Sequence, residues 1–114
     1  MEHRMNLRPE PFDMINSGKK TIELRLYDEK RQQIQVGDTI TFTNTETAEE
    51  LTAMVKDLFV FDSFGELYKK LPLLACGYTE DDIDTAKPED MLDYYPLEMQ
   101  KRYGVVGIEV EWIN

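Results

Sequence analysis

Hydrophobic and polar positions alternate along several short stretches of this chain, and each stretch reads as a β-strand. In residues 3–8 (HRMNLR), His3, Met5 and Leu7 fall on one face. In residues 20–27, Ile22, Leu24 and Leu26 point one way, while Thr21, Glu23, Arg25 and Tyr27 point the other. A Val36-Gly37-Asp38 turn opens a third strand, DTITFTN, with Ile40 and Phe42 toward the core and Thr39, Thr41 and Thr43 outward. TETAEE leads, as a hairpin or a longer loop, into a fourth strand across LTAMVKDLFVF. The chain closes on VVGIEVEWI, where Val106, Ile108, Val110 and Trp112 alternate with Gly107, Glu109 and Glu111.

Helical spacing appears between these strands. Pro9 and Pro11 introduce PFDMINSG, with Phe12 and Ile15 three apart and Gly18 as the stop. Ser63 followed by Glu66 is a capping box, and Phe64, Leu67, Tyr68 and Leu71 follow at helical spacing until Pro72. Residues 76–90 (CGYTEDDIDTAKPED) are acidic and loop-like. Pro88 and Pro96 each begin a further short helix, the first carrying Met91, Leu92 and Tyr95, the second ending at Gly104. The pattern predicts about five strands with two or three short helices: a small α+β domain on a curved sheet, closer to a barrel than to an open sheet. No repeat, low-complexity tract or linker interrupts it, so residues 1–114 are expected to form one domain.

Composition narrows the possible functions. The chain is 41% hydrophobic and carries twelve aromatic residues, enough to anchor a globular core. No apolar run is long enough to span a membrane, and MEHRMNLRPEPF lacks a hydrophobic signal segment, so a cytoplasmic protein is expected. One cysteine, Cys76, and one histidine, His3, make neither an internal disulfide nor a metal set, and no metal or cofactor is expected. The net charge is −10, but it is unevenly spread. Residues 1–45 are neutral, with seven basic and seven acidic side chains, and residues 46–114 carry the whole excess. Long polyanions are therefore repelled at a distance, while a local pocket for a nucleotide or a short single strand remains compatible with the charge.

Candidate chemistry concentrates in GKKTIELRLYDEKRQQI. One reading is a solvated strand with a weak Glu23–Arg25 pair, followed by a mixed-charge turn. The other requires the polar face to line a concavity. Lys20 and Arg25 would then hold phosphate or carbonyl oxygens, and Glu23 would accept from a base edge or act as a general base. Lys30 and Arg31 in the following loop would contact phosphate at the rim. In YYPLEMQKRYG, Tyr94, Tyr95 and Tyr103 surround Glu98, either as core aromatics or as a stacking platform beside a carboxylate. His3 reads as a satisfied barrel histidine, Cys76 as an unactivated thiol, and Ser63 as a helix cap.

Taken in order, HRMNL, PFDMINSGKKTIELRLYDEKRQQI, VGDTITFTN, FDSFGELY and YYPLEMQKRYGVVGIEV resemble the ASCH domain family of the PUA-like superfamily. The strongest element is G-x-K-[TR]-[IV]-E-x-R, here Gly18, Lys20, Thr21, Ile22, Glu23 and Arg25, and the closing E-x4-YGV-x-GI runs from Glu98 to Ile108. The resemblance implies a barrel of about five or six strands, with a cleft between the first helix and the Lys/Glu/Arg strand. It also implies binding of RNA, a nucleotide or a modified nucleoside, with Lys20, Thr21, Glu23, Arg25, Lys30, Arg31, Tyr95 and Tyr103 as ligand-contacting residues. Some members of the family are hydrolases. The acylcytidine branch uses a Lys, a Thr nucleophile and a Glu; Lys20 matches the Lys, Glu23 stands where that branch has Thr, and Glu98 is a functional stand-in for its acid. The alternative to a binding domain is thus a small metal-independent hydrolase using Lys20, Glu23 and Glu98 on a modified nucleoside or RNA.

Overall fold

A computed structural model describes residues 1–113. The fold is a five-stranded sheet curled into a half-barrel, with three short α-helices and several 3₁₀ turns, an α+β architecture as the alternation predicts. Strand β1 (Glu2–Leu7) leads into α1 (Pro9–Asn16), then β2 (Ile22–Leu26), β3 (Thr39–Asn44) and the long β4 (Glu50–Phe61). Helix α2 (Phe64–Lys70) follows, and after 3₁₀ turns at Ile83–Thr85 and Pro88–Asp93 the chain ends with α3 (Leu97–Tyr103) and β5 (Val105–Ile113). The spatial order is β1-β3-β4-β5-β2, with β1 and β3 parallel and every other pair antiparallel.

The local signals act as their chemistry requires. Pro9 sits in the first turn of α1, where its missing N–H costs nothing, and Phe12 and Ile15 are the buried face of that helix. Ser63 caps α2 by accepting from the Glu66 amide at 3.2 Å. Asn44 ends β3, and its Oδ1 accepts from the amides of Glu46 (2.9 Å) and Thr47 (3.2 Å), so a side chain shapes the turn into β4. The Thr face of β3 departs from expectation at its centre. Thr41 is buried, its hydroxyl 3.2 Å from that of Thr52 across the ladder.

Two apolar clusters hold the sheet. The concave one joins Met5, Leu7, Ile40, Phe42, Val55, Val106, Ile108 and their neighbours beneath α1. The second lies on the outer face, where Ile22, Leu24 and Leu26 pack with Phe64 and Leu67 of α2, Cys76 and Val105. This settles which way β2 faces. Its apolar residues cover the outside under α2, so Glu23 and Arg25, opposite Ile108 and Val106, face the concave side. The curl brings the edge strands β1 and β2 near each other without a ladder between them, and Arg25 Nη2 crosses the seam to the Asn6 carbonyl at 2.9 Å. Lys30 Nζ likewise donates to the Arg4 carbonyl at 3.0 Å. No described helix is long and apolar enough to cross a membrane.

Gly104, between α3 and β5, holds the junction where β2 ends, since its carbonyl accepts from the Tyr27 amide at 3.0 Å. Its φ of 73° and ψ of −171° belong to a region that is nearly glycine-only. A Cβ there would stand 2.9 Å from the Phe61 carbonyl oxygen, which is backbone and does not rotate aside. Gly104→Ala is therefore expected to cost about 2–3 kcal/mol in urea unfolding, strain and clash together. A loss below about 0.5 kcal/mol would contradict this geometry.

Candidate functional site

The concave face of β2 opens into a cleft of about 670 Å³ between the start of α1, the segment after Cys76, and the aromatic residues of α2 and of the 91–95 segment. Lys20, Glu23 and Arg25 form its floor, and all three are largely buried. Lys20 enters from the end of α1, its amide held by the Met14 carbonyl at 3.0 Å. Gly77, lacking a side chain, leaves room for the Lys20 stem, since a Cβ there would meet Lys20 Cδ at 3.2 Å.

Glu23 is shared between two cations. Its Oε1 lies 2.7 Å from Lys20 Nζ, and its Oε2 accepts from Arg25 Nη2 at 2.8 Å and Nε at 3.1 Å. Burial opposes ionisation of Glu23, but the charges of Lys20 and then Arg25, with their hydrogen bonds, outweigh it and hold its pKa below the ordinary value. Burial opposes the charge of Arg25 as well, and Glu23, followed by Tyr95, more than restores it. The carboxylate is thus ionised at neutral pH with both oxygens engaged. Three charges sum to one surplus positive charge on the floor. Cys76, beside them, is a thiol, because burial, aided by Glu23 and opposed by Lys20, pushes it up to about 11.

The aromatic wall is built outward from Phe64. The Tyr95 ring stacks on Phe64 at 6.0 Å with the planes 19° apart, and Tyr68 meets Phe64 edge-on at 6.4 Å. Tyr78 donates to Asp90 Oδ2 at 2.9 Å, which leaves Tyr68 to donate to Tyr78 across 2.7 Å. Burial raises the Tyr68 and Tyr78 pKa values, so both phenols stay protonated at neutral pH. At the mouth, the Arg8 guanidinium lies 4.7 Å from the centroid of the exposed Tyr94 ring.

Of the residues singled out in the sequence, Lys20, Glu23, Arg25, Cys76, Tyr94 and Tyr95 border this cleft. The others lie elsewhere. Thr21 precedes β2 and lines a separate shallow depression, its backbone tied to Ala75 and Val110. Lys30 is exposed and donates to the Arg4 carbonyl, and Arg31 is paired with Asp28 at 3.0 Å. Glu98 is exposed in the first turn of α3, and the Tyr103 ring is covered by Arg102 at 5.2 Å. The loop after β2 reaches the β1 edge through Lys30, and neither that loop nor α3 supplies lining residues to the cleft. Sequence reasoning did not anticipate Asn6, Arg8, Tyr68 or Tyr78 as lining. Tyr68 sat in a helical repeat that reads as core, and Arg8 and Tyr78 carry no local signal. His3 is buried with Nε2 2.8 Å from Asp38 Oδ2, a satisfied histidine. That bond, foremost, holds the Asp38 pKa down to about 2.

Comparison with known proteins supports the same architecture. Hypothetical protein PH0355, of known crystal structure, is 38% identical, with 99% of this chain and 100% of that one covered and a TM-score of 0.82. Protein PF0455 from Pyrococcus furiosus is 37% identical over 100% of this chain and 99% of its own, with a TM-score of 0.77. The ASCH domain of Lactobacillus crispatus JV V101 shares the fold at 13% identity, covering 97% and 79% of the two chains with a TM-score of 0.66. No curated protein matches the sequence. The ASCH domain family, however, matches residues 5–114, which takes in the second half of β1, strands β2 to β5 and the whole Lys20–Glu23–Arg25 floor. The chain belongs to the ASCH domain family.

Proposed function

We propose that the cleft binds a nucleotide, a modified nucleoside or part of a short single-stranded RNA. The observation that carries this reading is the buried Lys20–Glu23–Arg25 floor set beneath a tyrosine wall. A flat ring with polar edges matches such a site: the face meets the tyrosines and the acceptors meet the cations. The family is a PUA-like fold generally thought to bind RNA, which agrees in class. Within this reading Glu23 is an anchor. With both oxygens occupied it orients Lys20 and Arg25 toward carbonyl or phosphate oxygens, and Lys20 Nζ keeps N–H donors beyond the one it gives Glu23. The exposed Tyr94 ring and half-buried Tyr95 offer stacking surface, and Arg8 stands at the mouth for an anionic group.

Hydrolysis at this floor is the less favoured reading. A carboxylate held below its ordinary pKa by two cations is a poor proton acceptor, and Glu98 lies outside the cleft.

Calorimetry with a panel of nucleosides, nucleotides and acylated nucleosides tests binding directly. Saturable heat is expected for at least one class, with affinity falling roughly ten-fold or more in Lys20→Met as one charge-assisted hydrogen bond is lost. No saturable heat across the panel, or an unchanged Lys20→Met affinity, would remove the assignment. Turnover of an acylated nucleoside that vanishes in Glu23→Gln would restore the hydrolase.

A further inference from the structure

Beside the cleft, on the other flank of Lys20, the structure carries a second depression of about 270 Å³, whose lining includes Lys20, Thr21, Lys56, Glu109, Glu111 and Trp112. Trp112 is the only tryptophan in the chain, and it is half exposed. Its position follows from the strand. The Val110 amide donates to the Thr21 carbonyl at 2.8 Å, next to Lys20, and Trp112 lies two residues further on the same face. That is roughly 7 Å along β5. Opposite, the β4–β5 register slips between Val55 and Asp57, so the exposed Lys56 has no partner in the ladder and projects into the same depression.

The charges there differ from those of the cleft floor. Lys20 is already paired with Glu23, so the depression itself adds Lys56 against Glu109 and Glu111 and is mildly acidic around an aromatic surface. Such a place suits a neutral flat ring better than a phosphate. Lys20 lies at the junction, where it borders both hollows and shares Glu23 with Arg25. A cation between two ring-accepting hollows is the arrangement that a phosphate linking two bases requires.

We propose that Trp112 and its depression form a second base-stacking subsite, so that the preferred ligand is a single-stranded RNA segment of at least two nucleotides, one base in the cleft, its neighbour on Trp112, and the linking phosphate at Lys20. This inference rests on the reading of the cleft as a nucleotide site and extends it. The acidic remainder of the chain gives little long-range attraction to RNA, so the gain over a mononucleotide comes from stacking.

The test compares nucleoside monophosphates with short unstructured oligoribonucleotides by calorimetry, and follows the fluorescence of Trp112 excited outside the tyrosine band. Oligonucleotides are expected to bind more tightly than mononucleotides and to quench Trp112, whereas mononucleotides leave it unchanged. Trp112→Ala is expected to lower oligonucleotide affinity about five- to hundred-fold, toward the mononucleotide value, while mononucleotide affinity stays put. Trp112→Phe should recover part of the loss. Equal oligonucleotide affinity in Trp112→Ala and the parent overturns the subsite, as does an oligonucleotide that binds no tighter than a mononucleotide. In either case, intact mononucleotide binding spares the cleft. Absence of saturable binding for both probes overturns the cleft and the subsite together.

Discussion

Glu23→Gln is expected to destabilise the protein by about 3–5 kcal/mol, because it leaves Lys20 and Arg25 buried without their counter-charge. The side chains of Lys20 and Glu23 are 10% and 5% exposed, so water does little to screen them. The loss is read by urea unfolding at neutral pH. A drop of less than about 1 kcal/mol would mean that the floor is wetter and looser than the geometry indicates. The pH dependence has a definite sign. The Glu23 pKa is lower folded than its ordinary 4.5, so below that value the unfolded chain takes up the proton first. Its stabilisation is complete above the ordinary value and disappears as the pH falls through the folded one. Glu23→Gln should lack this part of the acid limb.

A companion variant separates stability from function. Replacing all three charges with apolar side chains of similar length (Lys20→Met, Glu23→Leu, Arg25→Met) removes the desolvation cost along with the attraction. Such replacements are often neutral or stabilising. The triple variant is therefore expected to be more stable than Glu23→Gln and to have lost ligand binding. If it is as unstable as the single variant, the charges serve the fold by a route that pairing does not explain.

Phe64→Ala is the second large effect, with an expected cost of about 3–5 kcal/mol. Phe64 is 1% exposed at the centre of the outer cluster, where α2 covers β2. Its removal leaves a void between the helix and Ile22, Leu24 and Leu26, and it takes the support from under Tyr95 and Tyr68. The cleft wall should loosen even in the fraction that stays folded, visible as weakened tyrosine near-ultraviolet circular dichroism. Phe64→Leu retains most of the apolar volume and should cost less, while still losing the stacked contact with Tyr95. A Phe64→Ala protein that keeps its stability and its tyrosine signal would show that the wall stands without this ring.

Much of this architecture was legible in the residues. His3, Met5 and Leu7, and likewise Ile40 and Phe42, alternate with period two, and they form the buried faces of β1 and β3. Proline and serine at the helix starts and glycine at the α3 end mark boundaries because each meets a specific backbone need there. The candidate site was legible only in part. Lys20, Glu23 and Arg25 lie within six residues, Glu23 and Arg25 on β2 and Lys20 just before it, so their nearness is already present in the sequence. Lys30 and Arg31 looked equivalent to them in sequence and are not, because Lys30 reaches the β1 edge, where it binds a carbonyl, and Arg31 binds Asp28.

By itself, the sequence determined the elements, their apolar faces and the charge cluster on β2, since these depend on residues a few positions apart. The tertiary structure alone decided which face of β2 is concave. Both faces had a reason to be buried, one apolar and one paired in charge. Only the placement of α2 over Ile22, Leu24 and Leu26 turned Glu23 inward. It also decided which tyrosines border the cleft, because Tyr68, Tyr78 and Tyr95 come from separate segments that meet only when the chain closes over Phe64 and Asp90. Contacts between distant segments follow from how whole faces pack, and no local pattern of residues encodes that.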